Sequence, residues 1–151
     1  MRQIVLKATR VLGATVFLGC FANANSQTVL ITDEEARLPR APMGDRRAFF
    51  RGPEVHVLSP RPDEAVKGPF ELKVRFVPLG GAKLDPDSLE VKYMVEPNKD
   101  ITSRVKRFLK GDVLEIPDAV IPPGKHQIVV RVLDTSGRAS AYNQINIDVQ
   151  K

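Results

Sequence analysis

Two histidines, His56 and His126, and one cysteine, Cys20, make up the chain's whole stock of imidazole and thiol. A copper or zinc site would need both histidines plus carboxylates. Neither histidine reads that way. His56 alternates with Val55 and Val57, which places it on the opposite, wet face of a strand. His126 shares a strand face with Ile128 and Val130 and reads as packing. Asp85, Asp87, Asp100 and Asp134 stand at strand ends, where a calcium ion finds carboxylate oxygens. The same residues build turns by bonding nearby amides, and turn formation is the preferred reading. A serine triad needs a histidine beside the serine, and neither histidine falls on a loop. No paired-carboxylate motif stands out. Gly80-Gly81 has the look of a hairpin turn, because no helix follows it to cradle a phosphate. The sequence therefore predicts no enzyme and no cofactor. A metal-binding protein for copper, zinc or calcium, with His56 and His126, is the alternative.

Charge offers binding instead. Lys99, Arg104, Lys106, Arg107 and Lys110 cluster in one segment. Within it Ile101, Val105, Phe108 and Leu109 recur at helical spacing. A turn or two of helix is expected there, capped by Asp100, ended by Gly111, and crossing from one sheet toward another. If the apolar stripe faces inward, the cations form a wet basic edge for an anionic glycan, a phospholipid headgroup or an acidic protein face. On that reading Arg104→Ala with Arg107→Ala leaves the fold intact and weakens partner binding. Arg46-Arg47-Ala48-Phe49-Phe50-Arg51 is a second candidate, since aromatic and arginine anchors suit a partner's groove. The competing reading packs one Phe under the domain. An exposed sheet edge is a third route to a partner, although most domains blunt such edges.

The elements that must hold these residues are strands. From Glu54 onward apolar residues recur with period two. Val55 and Val57 begin the series, and Phe70, Leu72, Val74 and Phe76 give its clearest member. Leu89 to Val95, Val113 to Ile116, His126 to Val132 and Ile145 to Val149 follow, separated by Pro, Gly and Asp turns. About six or seven short strands predict two packed antiparallel sheets. Residues 25–52 read as a partly ordered lead-in. They hold an apolar patch, Val29-Leu30-Ile31, and a capping box over Thr32 to Glu35, with Pro39 and Pro42 to stop any helix.

The first 24 residues read as an export signal. Arg2, Lys7 and Arg10 precede an uncharged run from Val11 to Ala22, and Ala22-Asn23-Ala24 fits peptidase cleavage. The run is too short for a hydrocarbon core, which needs roughly 20 residues. Phe17-Leu18-Gly19-Cys20 loosely matches a lipobox, which leaves lipidation at Cys20 open beside cleavage after Ala24. An exported chain is expected, in the periplasm first, with secretion or a lipid anchor as alternatives and no transmembrane segment. Without the leader, 20 basic residues face 18 acidic ones, a net charge of +2 against +5 for the whole chain. That near balance, with export, argues against a nucleic-acid partner. The remaining length of about 127 residues suits one domain, 53–151, with the lead-in before it.

Three stretches carry a family resemblance. Glu54-Val55-His56-Val57-Leu58-Ser59-Pro60 looks like a first strand ending in Ser-Pro. Leu84 to Val91, with Asp100-Ile101-Thr102, is similar to the family's entry into a middle strand. Ile121 to Gly137 closely resembles its last hairpin. Together they resemble a bacterial immunoglobulin-like domain of exported envelope proteins, over about 100 residues. The resemblance implies an immunoglobulin-like antiparallel β-sandwich and a role in adhesion, spacing or docking, with no shared catalytic residues. Arg138 replaces the usual Asn after Gly137, and the basic segment from Arg104 to Lys110 is unusual for the family. The expected function is a non-catalytic envelope module that binds a protein or glycan through residues 99–110 and the lead-in. A weaker reading is an inhibitor or accessory subunit of an envelope enzyme.

Overall fold

The structure, a computed structural model, describes residues 26–42, 51–62 and 64–151. The expected leader 1–24, with Cys20, lies outside the described residues, and so do Arg46, Arg47, Phe49 and Phe50. Ten strands run in chain order: β1 (Thr28–Val29), β2 (Glu54–Ser59), β3 (Ala65–Lys67), β4 (Phe70–Val77), β5 (Leu84–Tyr93), β6 (Lys99–Asp100), β7 (Leu109–Lys110), β8 (Val113–Val120), β9 (Gly124–Asp134) and β10 (Asn143–Gln150). Two short helices, α1 (Asp33–Ala36) and α2 (Thr102–Val105), and a 3-10 turn (Lys106–Phe108) complete the set. One sheet has the order β1-β8-β4-β2, with β7 also on β8; the other runs β3-β10-β9-β5-β6. The protein is an all-β sandwich with a short helical crossover, as its alternating sequence predicts.

Period two makes the core. In β4, Phe70, Leu72, Val74 and Phe76 are buried while Glu71 and Arg75 face water. From the second sheet Ile128, Val130 and Val132 of β9 meet Ile145, Ile147 and Val149 of β10 in the same cluster. The long strands pair antiparallel, whereas β1 lies parallel to β8 and β3 parallel to β10 at the edges.

Three details differ from the sequence expectation. The Asp85 to Ser88 turn sits inside β5 as an irregularity, and the register with β9 shifts between Asp85 and Glu90. β8 does not stop before Pro117. It continues to Val120, past a register shift opposite Phe70 and Leu72, where a residue without an N–H is tolerated. Gly111 does not end the helical segment, which gives way at Phe108. Gly111, at φ 58°, turns the hairpin between β7 and β8 instead, and that left-handed backbone suits glycine. The crossover does pass from one sheet to the other, since β6 belongs to the second and β7 to the first. Ile101 and Val105 are fully buried beneath it, with Phe108 and Leu109 packed alongside.

The described part of the lead-in is built into the sandwich. Leu30 and Ile31 are 0% and 1% exposed, and the Leu30 amide donates to the Val120 carbonyl at 3.0 Å. α1 carries the expected capping box: the Glu35 amide donates to the Thr32 hydroxyl, and the Thr32 amide to Glu35 Oε2. Arg40 then bridges Val95, just beyond β5, so residues 28–41 strap the first sheet to the second.

Candidate binding site

The crossover presents its five cations unequally. Arg104 Nη1 and Nη2 each lie 2.8 Å from the Glu35 carboxylate, and Nη1 also donates to the Leu30 carbonyl at 2.7 Å. This two-pronged pair joins the crossover to the strap. The Arg104 bonds hold the Glu35 carboxyl down at about 2, against the upward push of burial, with help from the Thr32 amide. Arg104 is therefore a half-buried strut between the crossover and the strap and not a freely exposed cation of a wet edge. Lys106 is tied too, with Nζ 2.8 Å from Asp87 Oδ1 on the β5 irregularity. That bond lowers the Asp87 pKa.

Lys99, Arg107 and Lys110 remain. Lys99 is half-buried on β6, while Arg107 and Lys110 are exposed. The Arg107 guanidinium stands 4.8 Å from the centre of the Phe108 ring. Stacking on a ring that is itself packed on the core limits the freedom of the charge. Phe49 and Phe50, the other sequence candidates, lie outside the described residues.

The two histidines do not meet. His56 is on the outer face of the first sheet, 3.2 Å from Glu54 Oε2. His126 is on the inner face of the second sheet and 4% exposed. Its Nε2 lies 2.8 Å from the Pro122 carbonyl, which can only accept, so Nε2 carries the proton. Nδ1 then accepts from the Tyr93 hydroxyl at 2.9 Å. Both ring nitrogens are used. Burial pushes the His126 pKa down, with the Pro122 carbonyl acting in the opposite direction.

The strand-end aspartates are spent on turns. Asp85 Oδ1 accepts the Asp87 amide, and Asp100 Oδ1 accepts the Thr102 amide. Asp134 is buried. Its Oδ1 accepts the amides of Ser136 and Arg138, and its Oδ2 accepts Arg138 Nε at 2.7 Å. Burial is the largest influence on Asp134 and raises its pKa, but the Arg138 and Ser136 bonds together outweigh it and the net shift is downward. Arg138 Nη2 also reaches the Leu79 carbonyl, so this arginine ties two loops together. Among the described residues no group of three or more His, Cys, Asp or Glu side chains converges as a metal would require.

A cleft of about 320 Å³ opens beside His126 and Ile147, rimmed by Arg40, Glu64, Lys125, Gln127, Asn146 and Asp148. Sequence reading missed it because its residues come from four separate segments. Only the β9 and β10 alternation, which turns Lys125, Gln127, Asn146 and Asp148 outward, was available to signal it.

No family model matches the chain. No curated protein matches it. Among solved structures, CopC from Methylosinus trichosporium OB3b is similar at a TM-score of 0.40 and 15% identity, over 64% of this chain and 96% of that one. Likeness at that level decides nothing about a site. The sandwich rests on this chain's own strand pairing. No helix among the described residues is long and apolar enough to cross a membrane.

Proposed function

We propose that the chain is a non-catalytic, exported module of immunoglobulin-like type that binds an anionic partner, an envelope protein face or an anionic glycan, through its crossover. One observation carries the reading: Arg104 ties the crossover to the strap and Ile101 and Val105 are buried beneath it, while Arg107 and Lys110 stay exposed on that fixed element. Charges on an immobilised backbone lose less freedom on binding than charges on a loose loop. The leader pattern of residues 1–24 supports export. The non-catalytic reading is supported by the way the structure employs the groups that would do chemistry, His126 and Asp134 above all.

A heparin oligosaccharide serves as a polyanion probe. Arg107→Gln with Lys110→Gln should weaken its binding by about tenfold at low salt, and rising salt should narrow the gap. The thermal midpoint should not move, since neither side chain is buried. Equal affinity of the wild type and the double variant would remove the crossover from the reading.

A further inference from the structure

The cleft beside His126 is a second surface, distinct from the crossover, and its charges are sorted by side. Lys125 of β9 lies directly opposite Asp148 of β10, and Gln127 opposite Asn146. The residues between them, His126 and Ile147, are buried, so these four side chains share the outer face. Arg40 joins from the β5 side, bridged to Val95 and donating from Nη2 to the Lys125 carbonyl at 2.8 Å. Glu64 joins from the β3 side, next to Ala65, which pairs with Asp148. Along the strand order β5-β9-β10-β3, the cleft therefore runs from two cations to two carboxylates. Strands are roughly 4.8 Å apart, so the two poles are separated by about one strand spacing.

Several of these groups keep bonding capacity. Among the described residues no ion pair joins Lys125 to Asp148, although they face each other. Arg40 retains further N–H donors, and Glu64 retains Oε1 beyond the Oε2 that accepts the Arg61 amide. Asn146 Oδ1 accepts from Gln144, which leaves its amide N–H groups to donate. Gln127 brings both a donor and an acceptor.

We propose that this cleft binds a small zwitterion, an α-amino acid or a dipeptide. The ligand's carboxylate lies toward Arg40 and Lys125, and its ammonium toward Asp148 and Glu64. The side-chain amides of Gln127 and Asn146 serve the polar atoms between. Sorting of charge selects this class: a simple anion meets two carboxylates, a simple cation meets two cations, and a neutral polyol has no use for the separation. The volume of about 320 Å³ stands at the small end of ligand pockets and holds a ligand of one or two residues.

The test is an amide-shift titration of the isotope-labelled full chain with glycine, glycylglycine, N-acetylglycinamide and glucose. One or both zwitterions should give saturable shifts centred on Lys125 to Gln127 and Asn146 to Asp148, with the better of glycine and glycylglycine reporting the ligand length. The blocked N-acetylglycinamide should bind at least about tenfold more weakly, because it carries neither charge. Asp148→Asn and Lys125→Gln should each weaken the zwitterion by about tenfold while shifts elsewhere stay native, and Lys110→Gln should change nothing. Failure of both zwitterions to saturate overturns the proposal. So does equal binding by N-acetylglycinamide or glucose.

Discussion

Arg104 illustrates how far a side chain's role depends on a partner distant in sequence. Its stem belongs to a basic cluster, yet its guanidinium grips Glu35, 69 positions away, and caps the Leu30 carbonyl. Glu35 is mostly shielded, so removing its partner strands a carboxylate in a partly dry site. Arg104→Ala should cost about 2 kcal/mol in urea unfolding at neutral pH, and Arg104→Lys should restore only part, because an ammonium cannot make the two-pronged pair. Acid should remove the same stabilisation. The folded pKa of Glu35, about 2, lies below its ordinary 4.5, so its contribution is present above pH 4.5 and is lost as the pH falls toward 2. His126 adds a separate, earlier loss. Burial depresses its pKa below 6.5, so protons favour the unfolded chain; stability is complete above that pH and declines as the pH falls toward the lowered value. Glu35→Gln should flatten the lower step of a stability-against-pH curve and His126→Phe the upper one. A curve unchanged by either substitution would refute these assignments. None of this was legible in the sequence beyond the capping box, which brought Thr32 and Glu35 together but could not supply Arg104. The reading of His126 as packing was available, because its alternation with Gln127 and its place beside Ile128 already turned it inward.

Elements divide by length. Strands such as β4, β9 and β10 were legible because eight or more residues display period two. β1, β3, β6 and β7 have two or three residues each, too few to show any period, and they exist only because a neighbouring strand offers an edge. The patch Val29-Leu30-Ile31 was visible as apolar, but its partner Val120 lies 90 residues on, and nothing local announces a parallel pair. The helical stripe of the crossover was legible, and its burial follows the spacing. Gly52, where the described chain resumes before β2, shows a constraint that sequence alone does not. A Cβ there would lie 2.2 Å from the Ala139 carbonyl carbon, against backbone that cannot swing aside. Gly52 is buried, so Gly52→Ala should destabilise the protein by roughly 2 kcal/mol or more. A thermal midpoint equal to wild type would show that the approach of these two segments is looser than described.

At the scale of the whole molecule, the sandwich is a frame whose polar groups are divided between holding it together and meeting a partner. Half-buried pairs and turn networks, Arg104 with Glu35 and Asp134 with Arg138, take the first task. Arg107 and Lys110 on the crossover take the second in our account. Their exposure at a rigid element matters more than net charge, since from residue 25 onward 20 basic residues nearly balance 18 acidic ones. The measurement that bears most directly on this is site-specific photo-crosslinking in intact cells, with the photoreactive residue placed at position 103, an exposed position on α2 that leaves Arg107 and Lys110 in place, and, for comparison, at position 75 on the outer face of the first sheet, where Arg75 is also exposed. The expected result is one discrete adduct from position 103, weakened by Arg107→Gln with Lys110→Gln and missing from position 75. No adduct at 103, or the same adducts from both positions, would contradict a binding role for the crossover.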